Sequence, residues 1–451
     1  MVNSTIGSWR KQSVEIFQHF GLAPFRAVLT SGDIAGAAAQ SGCAAVRLRP
    51  LTPEVLVWLM TATALATSSF VTGLSGAWGL VRASCPWLRM RCVSEEAFCQ
   101  ARNQLPLNFW RRLWTLLRDK YEQRFGAALR WKGLRVLAAD GSEAEVPNVP
   151  ALVKFFTRPQ TQKGESRAPQ GRLVALCSVF TGYCVDFVFI SRRCSEHVAL
   201  KHLLRRIRAH DLLLLDRGFF SYGLIYELQL REAHFLLRLS AQAQGYARRI
   251  RPLGPDDWLV EFHAGSTVRK KRPGLPAVLT GRLLRYQRKG FRPSWLLTSL
   301  QDPLPFPASE LAAFYHRRWR IETIYRELKH VLDIQNLRSQ TPAGILKEMH
   351  AQLLLYNLVR YAMTEAAEGT GKTPVEYSFA AAIDAVGSAL LQLCRWHAPP
   401  LPAVYAQLLE DIRRAVIRLR PDRSYPRRRE EKRINKGNGK FLLSARLQAL
   451  A

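Results

Sequence analysis

LLLLDRGFF, residues 212–220, decides how this chain is read. Four consecutive leucines leave no polar face, so 212–216 reads as a strand covered on both sides, at the centre of a sheet with helices on its faces. An acid, Asp216, closes it. The carboxyl ends of strands in open α/β sheets form the edge where ligands bind. An aspartate after a strand is also an ordinary turn or cap residue, so Asp216 needs company before it means anything.

Working outward, the neighbouring segments are strand-like too. LRVLAAD (134–140) is a short apolar run ending in Asp140, followed by Gly141-Ser142 and a second short run, EAEVP. RLVALCSVF (172–180) and CVDFVFI (184–190) flank Thr181-Gly182-Tyr183, a hairpin with glycine in its turn. SEHVALKHLLRRIRAH (195–210) and SYGLIYELQLREA (221–233) read as helices, and HFLLRLS (234–240) as the next strand. This order predicts a mixed α/β sheet with flanking helices. Residues 241–300 break the rhythm: WLVEFHAG, PAVLTGRLLRYQR and PSWLLTSLQ, separated by RKKRPG and RKGFRP, read as a β insertion with basic loops. Two long helices are expected at 342–367 and 376–397. Residues 1–130 read as helical, with Ser94 as an N-cap and a break at Pro106 before a basic, aromatic helix. A helix-turn-helix-like DNA reader and a small helical bundle with a basic rim both give that pattern. The expected organisation is an N-terminal helical DNA-binding domain (1–130), a catalytic domain (131–400, with the insertion at 241–300) and a C-terminal helix and basic arm (401–451).

YHRRWRIETIYRELK, residues 315–329, supplies the second half of a site. At about 100° per residue, Tyr315, Arg318, Glu322 and Lys329 fall within an arc of about 60°. Phe314, Ile321, Ile324, Leu328 and Val331 lie mostly on other faces, so one side packs and the other is presented. A lone carboxylate among cations suits a place where a metal-binding acid meets phosphate-binding bases. Solvated charges with i,i+4 pairs would look the same.

Composition narrows the partner. Sixty-six Lys and Arg against 35 Asp and Glu give +31, which points to nucleic acid before an acidic membrane. From Arg413 to Lys440 twelve basic residues, Arg427, Arg428 and Arg429 among them, face only Asp422, Glu430 and Glu431, which reads as a phosphate-binding arm. The eight cysteines show no zinc-ligand spacing and read as free thiols of a cytoplasmic protein. The N-terminus lacks the apolar core of a signal peptide. Residues 55–81 carry no charge but are diluted by Thr, Ser and Gly, so they read as two buried helices rather than a membrane span.

Asp140, Asp216 and Glu322 together permit phosphodiester chemistry. Two Mg²⁺ ions about 3.5–4 Å apart can stabilise the attacking and leaving oxygens of such a displacement, and Mg²⁺ takes oxygen ligands. The spacing Tyr315-x2-Arg318-x3-Glu322-x6-Lys329 resembles the YREK signature of bacterial insertion-sequence transposases of the DDE class, in the IS4-type branch. Asp140 in LAADGS and Asp216 in the D-R-G-F context resemble that family's two aspartates. The resemblance implies an RNase H-like catalytic domain with a β-strand insertion before the glutamate. It implies Asp140, Asp216 and Glu322 as catalytic metal ligands for two Mg²⁺, with Mn²⁺ substituting. Tyr315, Arg318 and Lys329 would grip phosphates at the transposon end, and Arg217 and Arg326 stand beside them as further DNA contacts. Arg217 has an equally good alternative in a salt bridge within the sheet. The implied activity is cut-and-paste transposition through a hairpin intermediate: end cleavage, then attack of the 3′-OH on target DNA within a homodimeric synaptic complex. Trp258, Trp295 and Trp319 are candidates to stack a flipped base. The alternative is a catalytically inactive, transposase-derived DNA-binding or repressor protein.

Overall fold

Strands begin where the hydrophobic period changes from helical to alternating, just after residue 130. The computed structural model describes residue 25 and residues 28–43, 51–65, 94–126, 130–161, 164–287, 293–334, 337–393 and 399–417. Before the sheet come α1 (Ser31–Gln40), α2 (Pro53–Leu65), α3 (Glu95–Gln104) and α4 (Leu107–Phe125). Thr30 caps α1 in a reciprocal box with Asp33, and Ser94 caps α3 by accepting from Ala97 N at 3.2 Å. The break at Pro106 separates α3 from α4 as expected.

The first sheet segment comprises β1 (Arg130–Trp131), β2 (Leu134–Glu145), α5 (Pro150–Phe156), the short pair β3 (Gln160–Thr161) and β4 (Gly164–Glu165), β5 (Gln170–Ser178) and β6 (Cys184–Ser191). Then follow α6 (Glu196–Leu203), β7 (Asp211–Leu215), α7 (Tyr222–Gln229), β8 (His234–Arg238) and α8 (Ala241–Gly245). β9 (Arg248–Gly254), β10 (Asp257–His263), α9 (Ser266–Lys271), β11 (Val278–Tyr286) and β12 (Ser294–Thr298) make up the insertion. The chain ends in α10 (Ala308–Tyr315), α11 (Arg320–His330), α12 (Pro342–Ala367), α13 (Phe379–Leu393) and α14 (Leu401–Arg414).

The sheet runs β6-β5-β2-β7-β8-β12-β11-β10-β9, with β1 on β2. β2, β7 and β8 are parallel and every other pairing is antiparallel. An antiparallel hairpin leading into parallel central strands is the RNase H-like mixed sheet that was expected. Every residue of β7 is buried, as four leucines require. The insertion does not form a sheet of its own, because β12 pairs with β8 and carries the central sheet outward. β9 was not legible in the sequence: it is an exposed edge strand, RRIRPLG, without apolar alternation.

Two apolar layers sandwich the sheet. One holds Val136, Ala138, Leu212 and Leu214 against α2, α4, α11 and α12, and the other holds Leu137, Ala139, Leu213 and Leu215 against α6 and α7. The period of two along β2 and β7 deals alternate residues to each layer. α12 is the hub of the first layer and is buried along most of its length. α4 docks on β6 through Trp114 Nε1, which donates to Val185 O at 3.1 Å, and α3 docks on α12 through Arg102 and Glu348 at 2.6 Å. The N-terminal helices therefore share the core of the sheet. Arg102 points inward, whereas Arg111 and Arg112 are exposed.

Residues 1–286 and 294–417 group into one compact unit; of the second, 287–293 with 418–451, only Gln287 and Pro293 are described. No helix among the described residues is long and apolar enough to cross a membrane. Of the uncharged stretch, α2 is described and residues 66–81 lie outside the described residues. Cys43, Cys177 and Cys184 are buried free thiols, and Cys99 and Cys194 are free and half-buried.

Candidate active site

β2 does not end at Asp140. It runs on through Gly141-Ser142 to Glu145, held there by antiparallel pairing with β5 as far as Glu145 opposite Gln170. Its parallel partner β7 is shorter. Ala138 pairs with Leu214, and the same register carried two residues on sets Asp140 level with Asp216 on the adjacent strand. Asp216 keeps extended backbone (φ −82°, ψ 166°) before a 3-10 turn at Arg217–Phe219. Both aspartates therefore continue the face of Ala138 and Leu214, which is the face α11 covers.

The stretch 315–329 is not one helix. α10 ends at Tyr315, a 3-10 turn spans His316–Trp319, and α11 starts at Arg320. The turn drives two residues inward that were read as DNA contacts. Tyr315 is 2% exposed and donates to Leu215 O at 2.9 Å, the last carbonyl before Asp216. Burial pushes its phenol well above the ordinary range. Arg318 is 4% exposed; its Nη2 donates to Glu322 Oε1 at 3.1 Å, and its Nη1 stands 3.8 Å from Asp140 Oδ2. Burial would lower the Arg318 pKa, but Tyr315, Asp216, Asp140 and Glu322 outweigh it and hold the guanidinium charged. Neither group is offered to solvent: Tyr315 fixes the backbone before Asp216, and Arg318 fixes the carboxylates of Asp140 and Glu322.

Asp140 is the most perturbed acid. Burial pushes it up to about 6, with Glu196 and Glu322 adding repulsion, while the Gly141 N–H at 2.8 Å and Arg318 oppose the shift. Asp216 Oδ1 is buried and 3.0 Å from Arg238 Nη2, yet accepts no hydrogen bond. Its charge is met by Arg238, and the carboxylates here are the hard oxygen donors that a divalent cation takes. As the side chains stand, no three His, Cys, Asp or Glu among the described residues are gathered closely enough to hold a metal, and the Arg318 guanidinium pairs with both Asp140 and Glu322.

The other expected contacts are at the surface or outside the described residues. Arg217 and Arg326 are exposed and Lys329 half-exposed, and none of their side chains has a hydrogen bond or ion pair among the described residues. The sheet salt bridge considered for Arg217 is made by Arg238 instead. Glu322, Arg326 and Lys329 share one face of α11, opposite buried Ile321, Ile324 and Leu328. Arg427, Arg428 and Arg429 lie outside the described residues; of the basic arm, Arg413 and Arg414 belong to α14 and pair with Glu410. Trp319 is 37% exposed beside Arg318, whereas Trp258 and Trp295 are half-buried under the guanidinium of Arg249, 4.9 and 5.4 Å from their rings.

Two site residues escaped the sequence reading. Arg238 pairs with Asp216. Tyr325 donates to Asp140 O at 2.5 Å and accepts from Ala175 N at 3.0 Å, pinning α11 onto β2 and β5. Only the i,i+3 relation of Tyr325 to Glu322 was visible in the sequence.

Comparison with known proteins identifies the family. Residues 131–358 match the family model described as "Transposase DDE domain". The chain is 30% identical over 395 residues to the transposase InsG for insertion sequence element IS4 of Escherichia coli K12, covering 86% of this chain and 87% of that protein. It is 30% identical over 110 residues to the putative transposase InsZ of the same organism, covering 24% of this chain and 37% of that one. Among solved structures, the piggyBac transposase synaptic complex with hairpin DNA aligns over 91% of this chain and 88% of that one, at 13% identity and a TM-score of 0.44. The chain belongs to the DDE transposases, as a relative of the insertion-sequence transposase of IS4.

Proposed function

We propose that this transposase cuts DNA at the ends of its own element and joins the freed 3′-OH to target DNA, with Asp140, Asp216 and Glu322 as its catalytic carboxylates. The observation that carries the reading is the register of β2 and β7, which levels Asp140 with Asp216 on the face where Arg318 reaches Glu322. Transposase DDE domains work with divalent metal ions. Here the three carboxylates would hold them, Mg²⁺ in the cell with Mn²⁺ as substitute and two per site, once Arg318 yields its hold on Glu322. When bound, such ions supply charge stabilisation at the attacking and leaving oxygens and ease deprotonation of water or the 3′-OH.

The chain's own residues do the rest. Arg217, Arg326 and Lys329, unpaired and at the surface, draw in the phosphates beside the acids. Tyr315 and Tyr325 act by position: one fixes the strand end before Asp216, the other fixes the Asp140 carbonyl. Residues 1–130 and the arm around Arg427–Arg429 would anchor the element's ends, and synapsis of two ends requires a dimer in the active complex. Second-strand cleavage through a hairpin would use an aromatic to receive a flipped base, and Trp319 is the most exposed of the three candidates. Strand transfer needs no ATP, since one phosphodiester replaces another.

The test is incubation with a labelled fragment of the element's end, in Mg²⁺ and in EDTA, beside Asp216→Ala and Glu322→Ala. Metal-dependent cleavage that both variants lack while still binding the end, with joined products when target DNA is added, is expected. Binding without cleavage in any metal would sink the catalytic reading in favour of a DNA-binding relic.

A further inference from the structure

The β insertion doubles back onto the turn that follows Asp216. Phe220 meets Phe262, near the end of β10, with ring centroids 5.6 Å apart, and Tyr222 OH donates to Pro276 O at 2.9 Å. The guanidinium of Arg272 lies on the backbone of Gly223, where a methyl group would stand 2.7 Å from Nη1. The connection between β10 and β11, with α9 in it, is thereby fastened beside the start of α7. It is basic and unbalanced. Arg269, Lys270 and Arg272 are exposed, as is Arg217 in the turn itself, and none of these side chains has a hydrogen bond or ion pair among the described residues. No acid occurs between Glu261 and Asp302, nor between Asp216 and Glu227, so neither segment brings a counter-charge of its own. A solvated loop explains any one of these cations. It does not explain why the chain fastens them beside the strand end that carries an acid of the site.

The sheet separates this surface from the one on α11. Asp140 and Asp216 continue the face that α11 covers, where Arg326 and Lys329 are presented, whereas Phe220, Tyr222 and Phe262 pack into the layer on the other face. Joining an end to a target brings two duplexes to the acids at once, one carrying the 3′-OH and one the phosphodiester it attacks. Cationic surfaces on both sides of the sheet match two duplexes. Target DNA, unlike the element's own end, changes from one insertion to the next, so it is held through phosphates rather than bases. The exposed Ser266, Thr267, Arg269 and Lys270 of α9 are all residue types that contact phosphate oxygens.

We propose that α9, with Arg272 beside it, is the docking surface for the target duplex, whose phosphates are held by Arg269, Lys270 and Arg272. The proposal rests on the joining reaction given above, and it assigns the second duplex of that reaction to a surface outside the YREK stretch.

The experiment combines Arg269→Ala, Lys270→Ala and Arg272→Ala in the full chain and measures capture of a labelled target duplex. A precleaved end duplex lacking its 3′-OH lets the protein capture target without joining it. The triple variant should capture target more weakly. Each phosphate no longer neutralised removes roughly 0.9 from the salt slope, so between about 50 and 200 mM salt its target affinity should fall about 40-fold less than the parent's. End binding and end cleavage should match the parent's. With the 3′-OH present, joining should drop at low target concentration and recover as target is raised. Arg269→Lys with Arg272→Lys keeps the charge and should capture target as the parent does. Unchanged capture in the triple variant would overturn the proposal, as would a lysine pair that captures as weakly as the alanines. Loss of end binding to the same degree as target capture would give the surface to the element's end and also overturn it. A parent that joins no end to any target would refute the reaction itself, and the docking surface with it.

Discussion

Arg360 on α12 is where the scaffold behind Glu322 is most exposed to test. Its side chain is 2% exposed and pairs with Glu327, 13% exposed, which lies on α11 five residues beyond Glu322. Arg360 Nε also donates to Tyr356 OH at 2.9 Å, and the Tyr356 hydroxyl stands 3.1 Å from both Gly182 O and Glu327 Oε2. Burial would lower the Arg360 pKa, but Glu327 and Tyr356 hold it above the ordinary range. Gly182 has φ +72°, and a methyl group there would stand 2.8 Å from the guanidinium carbon, so the hairpin turn is shaped around this arginine. Arg360→Met leaves the Glu327 carboxylate buried and unpaired. Breaking such a pair from one side costs about 3–5 kcal/mol, a figure that already contains the lost hydrogen bonds. For a unit of this size that is a fall in Tm of roughly 3–6 °C. Glu327→Gln with Arg360→Met removes both charges and should recover a large part of the loss in urea unfolding. Because α11 carries Glu322, end cleavage should fall more than end binding in EDTA. A single variant within about 1 kcal/mol of the parent, or a double variant as unstable as the sum of the singles, would refute the view that this pair fixes α11.

His350, also on α12, is neutral in its buried site: Nδ1 lies 2.7 Å from Leu346 O, the ring rests on Phe187, and burial pushes its pKa down from 6.5 to about 4. The unfolded chain therefore binds the extra proton first, so stability is full above pH 6.5, falls between pH 6.5 and 4 by about 3 kcal/mol, and is level below; a pH series of unfolding midpoints in which His350→Gln shows the same fall as the parent would overturn this. Replacing Arg217, Arg326 and Lys329 together with alanine should weaken binding to every duplex and lower the slope of log K against log salt by about 2.7, from roughly 0.9 for each phosphate that is no longer neutralised; an unchanged slope would place DNA elsewhere.

Local chemistry made much of this fold legible. The leucines of β7, the Gly182 hairpin, the Ser94 cap and the bounds of α12 all follow from patterns that a few residues settle among themselves. What failed depends on partners far along the chain. Gly141-Ser142 reads as lying between two short runs, yet β5 draws it straight into β2. RRIRPLG has no apolar face, yet β10 supplies a ladder for it at the sheet's edge, where its arginines also discourage pairing with another chain. Arg238 joined the site through the sheet order, which places the end of β8 beside Asp216.

The stretch 315–329 shows why angle alone misleads. A wheel places Arg318 and Glu322 on one face, and the structure agrees, since the two are paired. It says nothing of depth. Depth comes from β2 outrunning β7, which opens the end of the sheet and sets two carboxylates where a guanidinium can sink between them. A cation that would have been a surface contact on an isolated helix becomes the counterion of the acids it was expected to work beside. For this reason Arg318→Ala should act first on the acids rather than on DNA. Without its guanidinium, Asp140 and Glu322 repel each other unrelieved, so Mn²⁺ should bind more tightly in the absence of DNA, even as cleavage falls. Weaker Mn²⁺ binding in that variant would mean that Arg318 shapes the site for the ion instead of standing in its place.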